Sequence, residues 1–209
     1  AIPDVKSYRP SNNSISSGQV LQEPCNYEHT RLILWEMADM LSLDLVDKGV
    51  VTNQIVLTVG YDKESLADGH YTGEVVCDHY GRKIPKHAHG TQNLGRHTSS
   101  TRKIIDATMA LFDRIIDKTL LARRLNLTAC NVIREEDIPE IESYEQISLF
   151  DMAEAANADN NAEEKERALQ EAMLLIKHKY GKNAILKGTN YTEGATARER
   201  NRSIGGHKA

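Results

Sequence analysis

The spacing of apolar residues along this chain changes several times, and each change marks an element. From Tyr27 to Lys48, Leu34, Met37, Leu41 and Leu45 recur every three or four residues, as on a helix with one apolar face. Gly49 is a natural stop for it. From Thr52 to Tyr61 the period falls to two: Ile55, Leu57, Val59 and Tyr61 alternate with Gln54, Val56, Thr58 and Gly60. That is a strand with one buried face. Ser14 to Leu21 reads as an earlier strand, ended at Pro24. Ile84 to Leu94 is a more polar strand. Ser99 or Ser100 can cap a second helix reaching about Lys118, with Ile104, Ala107, Leu111 and Ile115 on one side. Leu125 to Ile133 is a closing strand. Asp62 to Lys83 fits a loop with a short strand at Glu74 to Asp78.

The order is β-α-β, loop, β-α-β. It predicts an α+β fold of the ferredoxin-like, split βαβ kind: a four-stranded antiparallel sheet with two helices on one face. The other face is open and should carry the polar members of each alternation.

After Arg134 the pattern fades. Glu135 to Asn161 is acidic and poor in core formers, as in a linker. Asn160 or Asn161 can cap a third helix to Tyr180, with Leu169, Ala172, Met173, Ile176 and Tyr180 as a packing stripe. Lys182 to Ala209 is rich in Gly, Asn and Arg and is expected to be disordered alone. Four segments result: an incoming linker (1–13), the α+β domain (14–134), the acidic linker (135–161), and a helix with a basic tail (162–209).

Charge sharpens this division. The chain holds 26 Lys and Arg against 30 Asp and Glu, a net charge of −4, but the average hides segregation. His79 to Arg124 is strongly basic, Glu135 to Glu171 strongly acidic, and the tail basic again. Basic zones on either side of an acidic connector suggest a polyanionic partner. Cys25, Cys77 and Cys130 are odd in number, widely spaced and form no CxxC pair, which suits reduced thiols in a cytoplasmic protein. No apolar run is long enough for a membrane span, so no membrane partner is expected; a monomer is. The chain opens on Ala1 in a polar stretch and reads as a piece of something larger.

One short motif stands in the acidic linker: Gln146-Ile147-Ser148-Leu149-Phe150. It resembles the Gln-x-Ser/Asp-Leu-Phe peptide with which bacterial polymerases and repair proteins dock on the sliding clamp. An amide head and two adjacent apolar anchors suit a peptide buried by an external pocket. The structural alternative is an amphipathic turn closing the domain.

Together, the split βαβ pattern, the charge and this peptide resemble the C-terminal region of a Y-family, UmuC-like bacterial lesion-bypass DNA polymerase. Such proteins end in a little finger domain followed by a clamp-binding tail. Asn13-Ser14-Ile15-Ser16 is similar to the Lys-Ser-Ile-Gly that opens the first strand in that family. Arg123-Arg124-Leu125-Asn126-Leu127 is similar to the Arg-Arg start of its last strand. Lys86-His87-Ala88-His89-Gly90-Thr91 falls where relatives alternate Arg and Thr, and here histidines make the charge depend on pH. The tail from Lys179 to Gly188, and its end from Arg202 to Ala209, also look like tails of that branch. The resemblance implies a non-catalytic domain that grips primer–template DNA through its phosphates, without reading sequence. Ser14, Ser16, Lys86, His87, His89, Arg96, Arg123 and Arg124 would be its contacts. It implies the sliding clamp as second partner, through Gln146, Ile147, Ser148, Leu149 and Phe150.

Two-metal phosphoryl transfer needs clustered carboxylates. No Asp-x-Asp strand, no Ser-x-Asp-Glu and no P-loop is found, so no catalytic residue is assigned. Magnesium is expected only in a catalytic region ahead of Ala1, and no cofactor in this chain. Three rival readings arise. A free-standing enzyme using Cys77 and His79 finds no evident Asn or Asp partner in the sequence. Cys77, His79, His87, His89 and His97 are plausible zinc ligands crowded into one window. An RRM-like RNA-binding module shares the topology, but would place aromatics on its central strands.

Overall fold

The computed structural model describes residues 13–67, 69–138, 152–204 and 207–208. Strand β1 (Ile15–Cys25), helix α1 (Tyr27–Asp47) and strand β2 (Val50–Tyr61) form the first half. Two short strands follow, β3 (Val75–Cys77) and β4 (Lys83–Pro85). The second half is β5 (Ala88–Thr98), α2 (Thr101–Ile115) and β6 (Ala122–Cys130). A short β7 (Ile133–Arg134) pairs with the start of β2.

The sheet order is β1-β6-β2-β5, and every neighbouring pair is antiparallel. Each β-α-β unit is therefore split by a strand of the other half, as the element order predicts. The sequence reading merged β4 and β5 into one strand. The break falls at Lys86 and His87, where β4 leaves the sheet to pair with β3.

The core lies between the sheet and the two helices. Ile55, Leu57, Val59, Leu125, Leu127 and Ala129 line the inner sheet face and are fully buried. Leu34, Met37 and Leu45 of α1, with Ile104, Leu111 and Phe112 of α2, close over them. Ser100 caps α2 as expected, its Oγ accepting from Lys103 N, and Asn26, which the sequence reading did not single out, caps α1 with its Oδ1 accepting from His29 N. Lys48 and then Gly49, at φ +62°, end α1. Gly90 of β5 faces α2 so closely that a Cβ there would meet Leu111 Cδ1 and Ile115 Cγ2 at 2.9 Å.

Helix α3 (Met152–Tyr180) begins earlier than the expected asparagine cap. Its docking face is not the predicted apolar stripe. Met173 is buried, but Leu169 and Tyr180 are 59% and 67% exposed. A polar stripe docks instead, on the start of α2. Glu166 accepts from Ser100 Oγ at 2.6 Å and from Arg102 N at 2.9 Å. Gln170 Nε2 donates to Ser99 O and Thr101 Oγ1. Arg167 binds Ser99 Oγ and Glu135. A carboxylate over free helix N–H groups is a favourable cap, which explains why a polar face can anchor this helix.

The tail corrects a second expectation. Residues 182–202 were expected to be disordered alone, yet they fold back across α1. The turn Gly188–Tyr191 and a one-turn helix α4 (Ala197–Arg200) lie there. The anchor is Glu36 of α1, only 1% exposed. Its Oε1 accepts from Asn190 Nδ2 at 2.8 Å. Its Oε2 accepts from Thr196 N at 2.8 Å and Ala197 N at 3.0 Å. Lys187 Nζ reaches Asp39 at 2.6 Å, and Arg200 Nη1 reaches Gln19 of β1 at 2.7 Å. Burial pushes the Arg200 guanidinium below its ordinary pKa, against the attraction of Glu36. A stretch that reads as a solvated tail is thus held by two buried acids of α1, Glu36 through neutral donors and Asp39 through Lys187.

Candidate nucleic-acid interface

Alternation along the strands sends one set of side chains into the core and leaves the other on the open face. The pairing register orders that second set into rows. Gly18, Asn126, Thr58 and His89 form one row across β1, β6, β2 and β5; Ser16, Thr128, Val56 and Thr91 form the next. Val20, Arg124 and Gly60 lie on one side of these rows, and Cys130, Gln54 and Asn93 on the other.

Cross-strand hydrogen bonds knit this surface. Ser16 Oγ donates to Asn126 Oδ1 at 2.7 Å and lies 2.9 Å from Thr128 Oγ1. Gln54 Nε2 donates to Asn93 Oδ1 at 3.0 Å, and Thr58 Oγ1 lies 2.9 Å from His89 Nδ1. These rows contain no Asp or Glu, and no Phe, Tyr or Trp. Hydroxyls, amides, an imidazole and a guanidinium remain. That set can donate to phosphate oxygens and repels none of them.

The eight residues expected at this surface divide in two. Ser14, Ser16, His87, His89 and Arg124 are exposed. Ser16, His89 and Arg124 belong to the open-face rows, and the His87 ring lies 6.5 Å from that of His89. Arg124 has no ion-pair or hydrogen-bond partner among the described residues. The other three cations are already engaged. Lys86 Nζ donates to Glu74 Oε2 at 2.7 Å. Arg96 shares the Glu163 carboxylate of α3 with Lys103. Arg123 Nη1 donates to the Gln22 carbonyl at 2.8 Å, with Nε 3.6 Å from Asp62. Gln54 and Thr58 were legible as polar members of the β2 alternation, whereas Thr128 and Asn93 were not named from the sequence. The signal for Asn126, Thr128 and Thr58 is the alternation itself, since each sits between two buried residues.

The rival sites find little geometry. Among the described residues, no group of three or more His, Cys, Asp or Glu comes together as metal ligands would. The RRM reading needs sheet aromatics on the open face. Tyr61 is instead 5% exposed on the inner side, its hydroxyl accepting from Asp117 N at 2.9 Å. Tyr80 lies off the main sheet, between β3 and β4. The three cysteines are free thiols, and burial raises the pKa of Cys25 and Cys130. No helix among the described residues is long and apolar enough to cross a membrane. Gln146 to Phe150 lie outside the described residues.

Comparison with known proteins places this fold. Residues 12–149 match the impB/mucB/samB family C-terminal domain. The chain belongs to that family and is a UmuC-like C-terminal region. It is also similar to the putative UV-damage repair protein UvrX of Bacillus subtilis (strain 168), 28% identical over 191 residues. The match covers 91% of this chain and 37% of that protein, so the chain spans little more than a third of its relative.

Proposed function

We propose that this chain is the DNA-gripping, clamp-docking region of a Y-family translesion polymerase, with no catalytic role of its own. The observation that carries the reading is the open sheet face: hydrogen-bonding side chains without a carboxylate, and an exposed arginine with no partner among the described residues. A duplex laid on it meets donors for its phosphates and nothing that tests base identity, as bypass of damaged templates requires. Arg124, His87, His89, Ser14 and Ser16 are the primary contacts. Lys86, Arg96 and Arg123 contribute only by exchanging a carboxylate or carbonyl for phosphate. Membership of the impB/mucB/samB family supports a role in DNA damage repair, and so does likeness to a relative named for UV-damage repair. Two-metal nucleotidyl transfer, with magnesium, belongs to a catalytic region outside this chain. The motif Gln146-Ile147-Ser148-Leu149-Phe150 docks the whole on a bacterial sliding clamp.

Equilibrium binding of labelled duplexes across a salt series tests the grip. Affinity should be independent of sequence. With roughly four to six phosphates neutralised, log affinity should fall against log salt with a slope of about −4 to −5. Strong preference for one sequence, or a flat salt dependence, would sink the phosphate-grip reading.

A further inference from the structure

Between β2 and β5 the chain leaves the sheet as an arm. It departs from the end where Arg124 and Gly60 pair and where His87 precedes β5. Strands β3 and β4 form its shaft, closed at the base by Lys86 N donating to Glu74 O at 2.8 Å. Its tip is a rigid turn built around one carboxylate. Asp78 Oδ1 accepts from Tyr80 N and from Arg82 N, both at 2.9 Å. Asp78 Oδ2 accepts from Arg82 Nε at 2.7 Å. Gly81, at φ +75°, lets the chain reverse. The turn displays Tyr80, whose side chain is 78% exposed. The Arg82 guanidinium stands 5.1 Å from the ring centroid, and the His79 ring meets it edge-on at 5.5 Å.

An isolated exposed tyrosine is ordinary. This one sits on a turn pinned by four backbone N–H bonds within residues 78–82 and by the Asp78–Arg82 pair, so a partner that stacks on it has little backbone left to order. The chemistry around it favours nucleic acid over protein. The acids of residues 74–87, Glu74 and Asp78, are consumed by Lys86 and Arg82. Lys83 has no anionic partner among the described residues. The open-face rows, in contrast, offer no Phe, Tyr or Trp on which a base could stack.

We propose that Tyr80 is a stacking platform for an unpaired base of a single-stranded DNA segment, with Arg82 bracing the ring. The proposal rests on the duplex grip only for placing that segment at the margin of a duplex. Stacking on an aromatic ring tolerates any base, which agrees with a grip that reads none.

The test compares three labelled DNAs by fluorescence anisotropy: a blunt duplex, the same duplex with a single-stranded extension, and the extension strand alone. The intact chain should bind the extended duplex more tightly than the blunt one. Tyr80→Ala should weaken binding to the extended duplex and the lone strand by at least about fivefold, leaving the blunt duplex unchanged. Tyr80→Phe should restore both. Tyr80 is exposed, so neither variant disturbs the core. Equal loss on blunt and extended duplex would overturn base stacking in favour of a backbone contact. A silent Tyr80→Ala on all three DNAs would overturn it too, leaving a protein as the partner of the tip. If the intact chain ignores the blunt duplex but binds the lone strand through Tyr80, the sheet-face reading fails and the arm proposal stands.

Discussion

Replacing Glu36 by alanine should release the tail, and the size of the effect follows from its partners. The carboxylate satisfies Asn190 Nδ2, Thr196 N and Ala197 N, with Thr196 Oγ1 at 3.3 Å as a fourth donor. Ala197 is 2% exposed and Asn190 6%, so neither donor finds water without movement. A buried donor left without a partner costs about 1–3 kcal/mol. Three such groups set a loss of roughly 3–9 kcal/mol if the tail stays docked. The tail can avoid that cost by leaving, so the observed loss cannot exceed the free energy of docking itself. Glu36→Ala should therefore resemble a truncation after Gly181, both in denaturant midpoint and in fast amide exchange over residues 187–201. Glu36→Gln keeps one acceptor oxygen and should fall between. A Glu36→Ala variant within about 0.5 kcal/mol of the parent, with those amides still protected, would refute this account of the anchor; ordinary surface substitutions fall in that range.

The remaining expectations concern the sheet, the connector and the core. Arg124→Ala should weaken binding to all duplexes alike and reduce the salt slope by about 1. Arg96→Ala should reduce the slope by less than Arg124→Ala does and loosen α3, because Arg96 must give up Glu163 before it meets a phosphate. The double variant His87→Ala with His89→Ala should weaken binding to all duplexes alike, since two exposed imidazole donors are lost from the phosphate-facing side. Leu149→Ala with Phe150→Ala should abolish docking on a sliding clamp, followed by calorimetry, with thermal stability and duplex affinity unchanged. Gly90→Ala should destabilise the domain by about 1–3 kcal/mol in denaturant melts, because the added methyl collides with Leu111 and Ile115.

The parts of this fold that were legible in the sequence are those where one period governs a whole element. Strand β2 alternates without a break from Gln54 to Tyr61, so its two faces could be sorted there by inspection. Those faces became the core wall and the open surface. The register of rows was not legible, because it is set by pairing between strands distant in sequence. That register brings Thr58 to His89 and Ser16 to Asn126. Helix α3 was misread for a definite reason. A helix that buries a polar stripe has its apolar residues outside, and amphipathic reasoning assigns the wrong face. Only the acceptor geometry of Glu166 over Ser100 and Arg102 N identifies the docking side.

The charge blocks carried a similar ambiguity, and its resolution bears on function. A run of basic residues reads as polyanion binding whenever its partners are unseen. In the folded chain the cations sort by what they already hold. Arg96 and Lys103 hold Glu163, Lys86 holds Glu74, Lys187 holds Asp39, and Arg200 lies beneath β1 at Gln19. Each gives up an existing interaction before it can meet a phosphate, and in a high-dielectric surface setting that exchange yields little. Among the described residues Arg124 holds no partner to give up. A surface that grips DNA weakly and without sequence preference needs few such free charges. It also needs a field clear of carboxylates around them, which the rows of the open face supply. Acids lie off these rows: Glu36 and Asp39 of α1 hold the tail, Glu163 and Glu166 of α3 hold that helix to the domain, and Glu74 and Asp78 are paired within the arm. Folding thus separates the two signs of charge that the composition mixes, and leaves one side of the sheet available to a polyanion.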